Sequence, residues 1–573
     1  MSADMNTDRN NRDRGPARDS DGDQEPRSLR ANAFDLEQAR LAAAQEHSLT
    51  FTEGLRTYRK AVMWSMLFSV AIIMEGYDTT LLQSFFAFPE FVRKYGSPVH
   101  TSASSASSSP GAGPRQEVER YELPASWQSA LTNGAYIGEI LGLFITGLVI
   151  EKTGYRRLVF ASSLSLGGFI FISVFAPDLP TLLVGEILCG IPWGVFQTVT
   201  TAYAAEVCPV LLRGYLTTYV NLCWVLGQFV ATAVLRACLR IGPSLTGGGG
   251  DEWSYRIPFM LQWVWLPFIL VIVWVGPESP WWLVRRGRIS EARGVLARLS
   301  TSTSASTPGK DKERDRTEIT LALMLYTIQM ENDLASRYHE SYLSCFRSTN
   351  RRRTEITCLA WAIQALCGSS FMGYSTYFYQ QAGLSVSQSF NMTLGQYAFG
   401  VIGTLVSWVL MSRFGRRTLY VSGLFLLVII LFSVGFTSLS DTKAASWAIG
   451  SLLLLFTFTY DCTIGPVCYS IVSEIPSTQL RGRTIVLARN VYNMFMISNG
   501  IIVPRMLNPT AWAWRGLTGF FWGGITVVLL CWAYFRLPET KGRTFAEVDI
   551  LFESRVDARR FKKEEVCFDT TNN

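Results

Sequence analysis

The sequence predicts an all-α membrane protein in which twelve transmembrane helices form two pseudo-symmetric halves of six. Hydrophobic residues make up 49% of the 573 positions and charged residues only 17%. Apolar stretches of about 20 residues recur along the chain, and each could cross about 30 Å of hydrocarbon. A basic turn, Gly154–Arg157, follows the second stretch, and a similar turn, Gly415–Arg417, follows the eighth. Such internal duplication is typical of secondary transporters.

The predicted spans divide the chain into two halves joined by a polar segment. The first six lie near 63–85, 127–150, 158–176, 181–203, 215–235 and 257–275, and the second six near 356–379, 389–411, 418–437, 446–470, 485–504 and 514–535. The expected domains are a disordered cytosolic tail at 1–60, a six-helix half at 61–276, a cytosolic helical linker at 277–353, a second half at 354–536 and a cytosolic tail at 537–573. The tail at 1–60 is polar and poor in aromatic residues, whereas the linker has apolar residues at helical spacing.

The basic residues indicate which side of the membrane faces the cytosol. Lys and Arg gather in alternate loops such as 152–157 and 413–417, while the intervening loops at 177–180 and 438–445 hold almost none. This positive-inside pattern predicts that both termini are cytosolic. It also accounts for the net charge of +7 without a nucleic-acid partner. The 11 cysteines are scattered without a CxxC pair, so no metal site is predicted.

Short motifs at the helix ends resemble the sugar-porter branch of the major facilitator superfamily over roughly residues 60–553. Besides the two basic turns, they are Tyr203–Pro209 with Arg213–Gly214, Pro277–Leu283, Gly465–Val467 with Ser473–Glu474, and Pro538–Gly542. The turns depart from the family pattern where Glu151 and Ser412 replace an Asp and where Tyr155 replaces an Arg. The resemblance implies the twelve-helix major facilitator fold and transport by alternating access.

Finer features are similar to the fungal maltose/α-glucoside permeases. They are Met74–Thr79, Gly373–Phe378, Leu487–Asn490 and the pair Trp281–Trp282. This resemblance implies proton-coupled import of an α-glucoside such as maltose by a plasma-membrane protein. The expected partners are the disaccharide, the proton and the lipid bilayer, with no cofactor, and the expected state is a monomer. Alternatives are a uniporter or symporter of another sugar or polyol, and a non-transporting sugar sensor. An enzyme is not expected, because the sequence has no P-loop, HExxH motif or nucleophile elbow.

Ionisable residues inside the spans are the candidates for proton coupling. They are Glu75 and Asp78 in the first span, Glu139 in the second and Arg489 in the eleventh. A charge near the centre of a membrane helix costs roughly 2.5–3.5 kcal/mol, so such residues are functional candidates. The resemblance assigns proton coupling to Asp78. Because Glu186 stands where the family often has Arg, Asp78 needs another base, and Arg489 is the candidate. The alternative is that these acids only link helices by hydrogen bonds.

The resemblance also implies an ion network that closes the cytosolic side and breaks during transport. Its members are charged residues at cytosolic helix ends. They are Arg156, Arg157, Glu206, Arg213, Glu278, Arg416, Arg417, Glu474, Arg481 and Glu539.

A sugar presents hydroxyl groups and a weakly apolar ring face, so its site needs amides and aromatic rings near the membrane midplane. The candidates are Asn221, Gln228, Gln364, Tyr374, Tyr377, Tyr469 and Asn493. Gln364 holds the place of the family's first pocket glutamine. Asn221 stands where a Gln is common, and Tyr469 where a Trp is common. These departures favour a pocket reshaped for a disaccharide, while helix packing is the alternative role for each residue.

Overall fold

The computed structural model describes residues 51–99, 120–208, 210–245, 252–299, 317–325, 328, 342–440, 442–477, 480–543 and 545–564. Within these ranges the chain is almost entirely helical. One antiparallel pair of short strands, Ser97–Val99 and Arg120–Glu122, lies between the first and second membrane helices. These strands join the two ends of the loop between these helices.

Each predicted span overlaps a helix or a chain of short helices. In the first half these are Arg59–Ser69 with Ala71–Phe85, Ala125–Thr153, Tyr155–Val174, Leu179–Val207, Val210–Leu245, and Trp253–Met260 with Gln262–Val275. In the second half they are Ser348–Leu366 with Ser369–Gly373 and Ser375–Gln381, Val386–Arg413, Arg416–Thr437, Lys443–Cys462 with Ile464–Glu474, Arg481–Leu507, and Thr518–Arg536. They are called the first to the twelfth membrane helix below.

The eleventh membrane helix is more polar than the others. In the described part of the chain, 11 helices are long and apolar enough to cross a membrane, and Arg481–Leu507 is not among them. Its 27 residues give a length of about 40 Å, so its length is sufficient. Its central residues Arg489, Asn490 and Asn493 lower its hydropathy. Polar side chains at membrane depth normally face the bundle interior, so the polar residues of this helix are candidates for the transport site.

The seventh and tenth membrane helices are interrupted near their middles. The seventh breaks at Gly368, whose φ of 94° is a left-handed conformation that glycine adopts without steric cost. The tenth breaks at Thr463, shortly before Pro466, which has no backbone N–H to donate. Interrupted helices free backbone polar groups at membrane depth, where transporters use them at binding sites.

The second and fourth membrane helices pack at backbone contact distance through glycines. Gly138 and Gly142 on one helix face Gly190 and Gly194 on the other, in two small-xxx-small patterns. A Cβ atom on Gly138 would overlap the backbone of Ile187 and Gly190. Because lipid tails are as apolar as leucine, close packing of this kind is a main force that joins membrane helices.

The described residues between the two halves and after the twelfth membrane helix are largely helical. The helices Pro280–Arg285 and Ile289–Leu299 follow the sixth membrane helix, residues 317–325 are helical, and a 3₁₀ turn at Tyr342–Phe346 precedes the seventh. A further helix, Phe545–Glu553, follows the twelfth. The predicted disordered tail is wrong for its last residues, because Phe51–Thr57 is a helix that packs against the fifth membrane helix. Residues 1–50 lie outside the described ranges.

Candidate functional site

A buried charged cluster lies where the first, second, fourth and eleventh membrane helices meet. Glu75 and Glu139 are fully buried there. The guanidinium of Arg489 donates a hydrogen bond from Nε to Oε1 of Gln197 at 2.7 Å, and the Gln197 amide donates to Glu75. Arg489 also interacts electrostatically with both acids. A cation of the second half thereby compensates two acids of the first half, so the cluster connects the halves.

Aromatic rings of the second half enclose the same guanidinium. The Cζ atom of Arg489 lies 4.8 Å from the ring centroid of Trp361 and 4.5 Å from that of Tyr492. Trp361 also packs edge-on against Tyr469, with ring centroids 4.9 Å apart. Cation–π contacts hold a guanidinium in place without neutralising it. The sequence predicted Tyr469 but not Trp361, although Trp361 and Gln364 are three residues apart and so share a helix face.

A second pair of acids lies between the first, fourth and sixth membrane helices. Asp78 and Glu186 are buried with their carboxyl groups in contact, and the Gln262 amide donates a hydrogen bond to Asp78. Within the described residues, neither acid has an ion-pair partner. Arg489 was expected to serve Asp78, and this is wrong because Arg489 points to Glu75 and Glu139. Two ionised carboxylates in contact would repel each other, so the pair has the geometry to hold one proton between them.

Asn493 is a predicted pocket residue whose side-chain amide has unused hydrogen-bonding capacity. It is fully buried, and neither atom of its side-chain amide has a hydrogen-bond partner among the described residues. It lies one helical turn from Arg489, on the same face of the eleventh membrane helix. A buried amide without partners costs free energy unless water or a ligand supplies them, so Asn493 is ready to receive a polar ligand.

Two other candidates meet at the break in the tenth membrane helix. Gln364 donates a hydrogen bond from Nε2 to the carbonyl oxygen of Gly465 at 2.8 Å. Asn221 and Asp461 lie beside the same glycine. The amide nitrogen of Gln364 was expected to face a sugar. Instead it hydrogen-bonds the backbone at the break and so stabilises the interrupted helix. Gln228 is half-buried in the fifth membrane helix.

Tyr374 and Tyr377 were predicted in the pocket, but they join the two halves toward the extracellular end instead. The hydroxyl of Tyr374 is hydrogen-bonded to Thr132 Oγ1 at 2.9 Å. Tyr377 donates a hydrogen bond to Glu122, and Gln381 donates to the same carboxylate at 3.1 Å. Glu122 is buried at the end of a strand in the external loop. These contacts connect the two halves. Glu122 was not among the sequence candidates, because it lies outside the predicted spans in which they were sought.

The two basic turns make matching contacts on the cytosolic side. In the first half, Glu278 accepts hydrogen bonds from the backbone N–H groups of Tyr155 at 3.0 Å and Arg156 at 3.3 Å. In the second half, Glu539 accepts from the backbone N–H of Arg416 at 2.8 Å. Each carboxylate thus caps the N-terminus of the helix after the turn, where the helix dipole favours negative charge. Burial raises the pKa of Glu278, and the backbone donors oppose this shift.

Each turn also contacts a second acid, which lies on the fourth membrane helix in the first half and on the tenth in the second half. Glu206 accepts from the Tyr155 hydroxyl at 2.9 Å, and Glu474 accepts from the Arg416 guanidinium at 3.2 Å. The hydroxyl of Tyr155 therefore occupies the place of the missing arginine. Arg285 lies 3.5 Å from Glu206, which adds a cation to the first cluster.

The contacts of the basic turns thus form two separate clusters, and each contact of Glu206, Glu278, Glu474 and Glu539 given above stays within its own half. The guanidinium of Arg156 donates a hydrogen bond to a backbone carbonyl near the end of the sixth membrane helix, and that of Arg417 does the same at the end of the twelfth. These bonds hold each turn against the neighbouring helix. Arg157 is exposed. The side chains of Arg213 and Arg481 lie outside the described residues.

Tyr377→Phe is expected to open the external side. The change removes a hydrogen bond to a buried carboxylate, and such bonds contribute about 1.5–3 kcal/mol, so the outward-open population should rise about tenfold or more. The readout is the rate at which a membrane-impermeant thiol reagent labels a cysteine introduced at Ser129, which is buried one turn before Thr132. Tyr379→Phe is the matched control, since the Tyr379 hydroxyl bonds Gln396 within the second half. Equal labelling in the two variants would contradict a closing role for Tyr377.

The chain is similar to known transporters over most of its length. A family model described as "Sugar (and other) transporter" matches residues 64–552. The general alpha-glucoside permease of Saccharomyces cerevisiae (strain CEN.PK113-7D) is 40% identical over 544 residues, which cover 95% of this chain and 83% of the permease. Maltose permease MAL61 of Saccharomyces cerevisiae is 40% identical over 532 residues, with 93% and 82% covered.

Solved structures share the fold at low sequence identity. The proton:xylose symporter XylE bound to 6-bromo-6-deoxy-D-glucose superposes with a TM-score of 0.67 at 19% identity, covering 87% of this chain and 100% of that chain. A partially occluded inward-open form of XylE from E. coli gives 0.63 at 18% identity, covering 85% and 99%. These similarities confirm the twelve-helix major facilitator fold predicted from the sequence.

Proposed function

The chain belongs to the sugar (and other) transporter family, and from this premise we propose that it imports an α-glucoside such as maltose together with a proton. Its membrane is the plasma membrane, with both termini in the cytosol. The halves at 61–276 and 354–536 move against each other, and the segment 277–353 joins them. The protein acts as a monomer without a cofactor, and it catalyses no chemical reaction.

The position of Arg489 is the observation that supports coupled transport. Its guanidinium interacts with Glu75 and Glu139 of the first half while it stacks on Trp361 and Tyr492 of the second. A proton that binds to one of these acids changes the charge that Arg489 must compensate. The same change alters the aromatic surface beside it, so protonation and sugar binding are linked through one side chain.

The chemistry around Arg489 suits a sugar. Trp361 and Tyr469 offer ring faces for the apolar side of a pyranose, and Asn493 offers a donor and an acceptor for its hydroxyl groups. The 40% identity to alpha-glucoside and maltose permeases favours a disaccharide over a hexose. The contacts of Tyr377 with Glu122 form the external closure, and the two basic-turn clusters hold the cytosolic helix ends of each half together while the halves move during alternating access.

Uptake of radiolabelled maltose by cells without sugar carriers of their own tests the proposal. We expect accumulation above the external concentration, loss of that accumulation with a protonophore, and competition by other α-glucosides but not by polyols. Uptake that is insensitive to the protonophore would indicate a uniporter. Preference for a polyol or hexose would indicate another substrate. A surface-localised protein that takes up no sugar would support the sensor alternative.

Asn493→Ala is expected to raise the KM for maltose about 5- to 150-fold, because each sugar hydroxyl that loses its partner costs about 1–3 kcal/mol. The measurement is initial uptake against maltose concentration, normalised to surface protein. Gln364→Ala is the comparison variant. Since the Gln364 amide bonds Gly465, its loss should lower the amount of folded protein more than it changes the KM. An unchanged KM in Asn493→Ala at normal surface levels would remove Asn493 from the pocket.

A further inference from the structure

The twelfth membrane helix carries an exposed stripe that ends at the cytosolic boundary. Gly524, Val528, Cys531 and Phe535 recur at spacings of three and four residues, and all four are exposed. Val528 is 68% exposed, Phe535 57% and the neighbouring Tyr534 47%. Because spacings of three and four place side chains on one helix face, this stripe is a continuous surface for a lipid acyl chain.

Two guanidinium groups lie against the ring of Tyr534, at the cytosolic end of the stripe. The Cζ atom of Arg417 lies 5.5 Å from the Tyr534 ring centroid. The Cζ atom of Arg559 lies 5.8 Å from the same centroid and 5.2 Å from that of Phe535. Within the described residues, no carboxylate forms an ion pair with either arginine, and Nε of Arg417 is buried without a hydrogen-bond partner. Two positive charges therefore lie against one ring, and neither is held in an ion pair among the described residues.

The segment that carries Arg559 is fixed to the second half. Phe552 and Phe561 are fully buried, with ring centroids 5.1 Å apart. Arg352 and Arg353, at the start of the seventh membrane helix, lie over these rings, and Arg353 also forms an ion pair with Asp549. The packed rings hold the chain on both sides of Arg559. Its position beside the stripe is therefore a property of the fold.

We propose that Arg417 and Arg559 bind the phosphate of an anionic phospholipid of the cytosolic leaflet, with one acyl chain lying on the stripe of the twelfth membrane helix. Guanidinium groups form strong charge-assisted hydrogen bonds with phosphate. A second positive charge disfavours the cationic headgroup of a zwitterionic lipid. Arg560, Lys562 and Lys563 are exposed nearby in the chain and add to the attraction for anionic headgroups.

Lipid retention by the purified full-length protein tests this site. The protein is placed in detergent micelles that contain equal amounts of phosphatidylserine and phosphatidylcholine, and bound lipids are identified by native mass spectrometry. We expect the wild type to retain phosphatidylserine preferentially. Arg559→Gln should lower that affinity about fivefold, because a basic residue at an anionic surface contributes about a factor of five in binding. Arg559→Lys should retain more affinity than Arg559→Gln, since it keeps the charge.

Arg298→Gln is the matched control, because Arg298 is an exposed cytosolic arginine on the helix Ile289–Leu299 of the linker. It should leave phosphatidylserine binding unchanged. Equal losses of phosphatidylserine affinity in Arg298→Gln and Arg559→Gln would show a diffuse attraction of the lipid to basic residues and would overturn the site. Equal retention of phosphatidylserine and phosphatidylcholine by the wild type would also overturn it. An excess of inorganic phosphate should not displace the lipid, and displacement would show an anion site without lipid specificity. Gel filtration confirms that the variants are folded.

Discussion

Asp78→Asn is expected to abolish proton-driven sugar accumulation while sugar exchange across the membrane continues. The amide can replace the carboxyl group in its contacts with Gln262 and Glu186, but it cannot bind or release a proton. A carrier with this change should still reorient with sugar bound, since the shape of the site is kept. The measurement is alkalinisation of the medium on addition of maltose, set beside counterflow exchange of labelled maltose in vesicles.

Asp461→Asn is the matched control for this experiment. It makes the same chemical change at another buried acid, which lies in the tenth membrane helix beside Asn221 and Gly465. Alkalinisation should persist in this variant. A wild-type alkalinisation signal in Asp78→Asn would refute the role of Asp78, whereas loss in both variants would show that the assay responds to any buried acid.

Arg489→Gln is expected to lower maltose uptake about 100-fold or more. The substitution leaves Glu75 and Glu139 buried without their cation, and removal of one partner from a buried charge pair costs about 3–5 kcal/mol. It also removes the stacked group that connects these acids to Trp361 and Tyr492. Initial uptake, normalised to surface protein, is the measurement.

A second substitution separates charge imbalance from loss of the contact itself. In Arg489→Gln with Glu139→Gln, one uncompensated acid is removed, so the surface level of the protein should recover while coupled accumulation stays absent. Arg489→Lys should retain part of the uptake, because the ammonium keeps the charge but lacks the planar stacking and the geometry of the bond to Gln197. A double variant no better than the single one would contradict the charge explanation.

The membrane helices could be predicted from the sequence because each depends on its own residues. A stretch of about twenty apolar residues is long enough to span the hydrocarbon of a bilayer wherever it occurs in a sequence. The charges of the basic turns at Gly154–Arg157 and Gly415–Arg417 likewise predict, without any partner, which side of the membrane is cytosolic. Even the polar eleventh helix was recognised, since Arg489 interrupts a span that is otherwise long enough. The buried acids were found for the same reason: a charge inside an apolar stretch is conspicuous in the sequence.

The partners of these residues could not be predicted in the same way. Arg489 was expected beside Asp78, but it faces Glu75 and Glu139. Gln364 was expected to face the sugar with its amide, but it bonds the broken tenth helix at Gly465. Helix geometry fixes the spacing of the side chains along one helix. It does not fix the rotation of that helix about its axis, nor which neighbouring helix each of its faces contacts.

The sequence by itself determined the fold class and which helices carry charge. The tertiary structure decided which polar groups meet. Tyr377 hydrogen-bonds Glu122, 255 residues away in the chain, and Arg489 hydrogen-bonds Gln197, 292 residues away. Hydropathy and charge are properties of each segment alone, so they can be read along the chain. A hydrogen bond between distant segments depends on the packing of every helix between them, and the order of residues does not encode that packing locally.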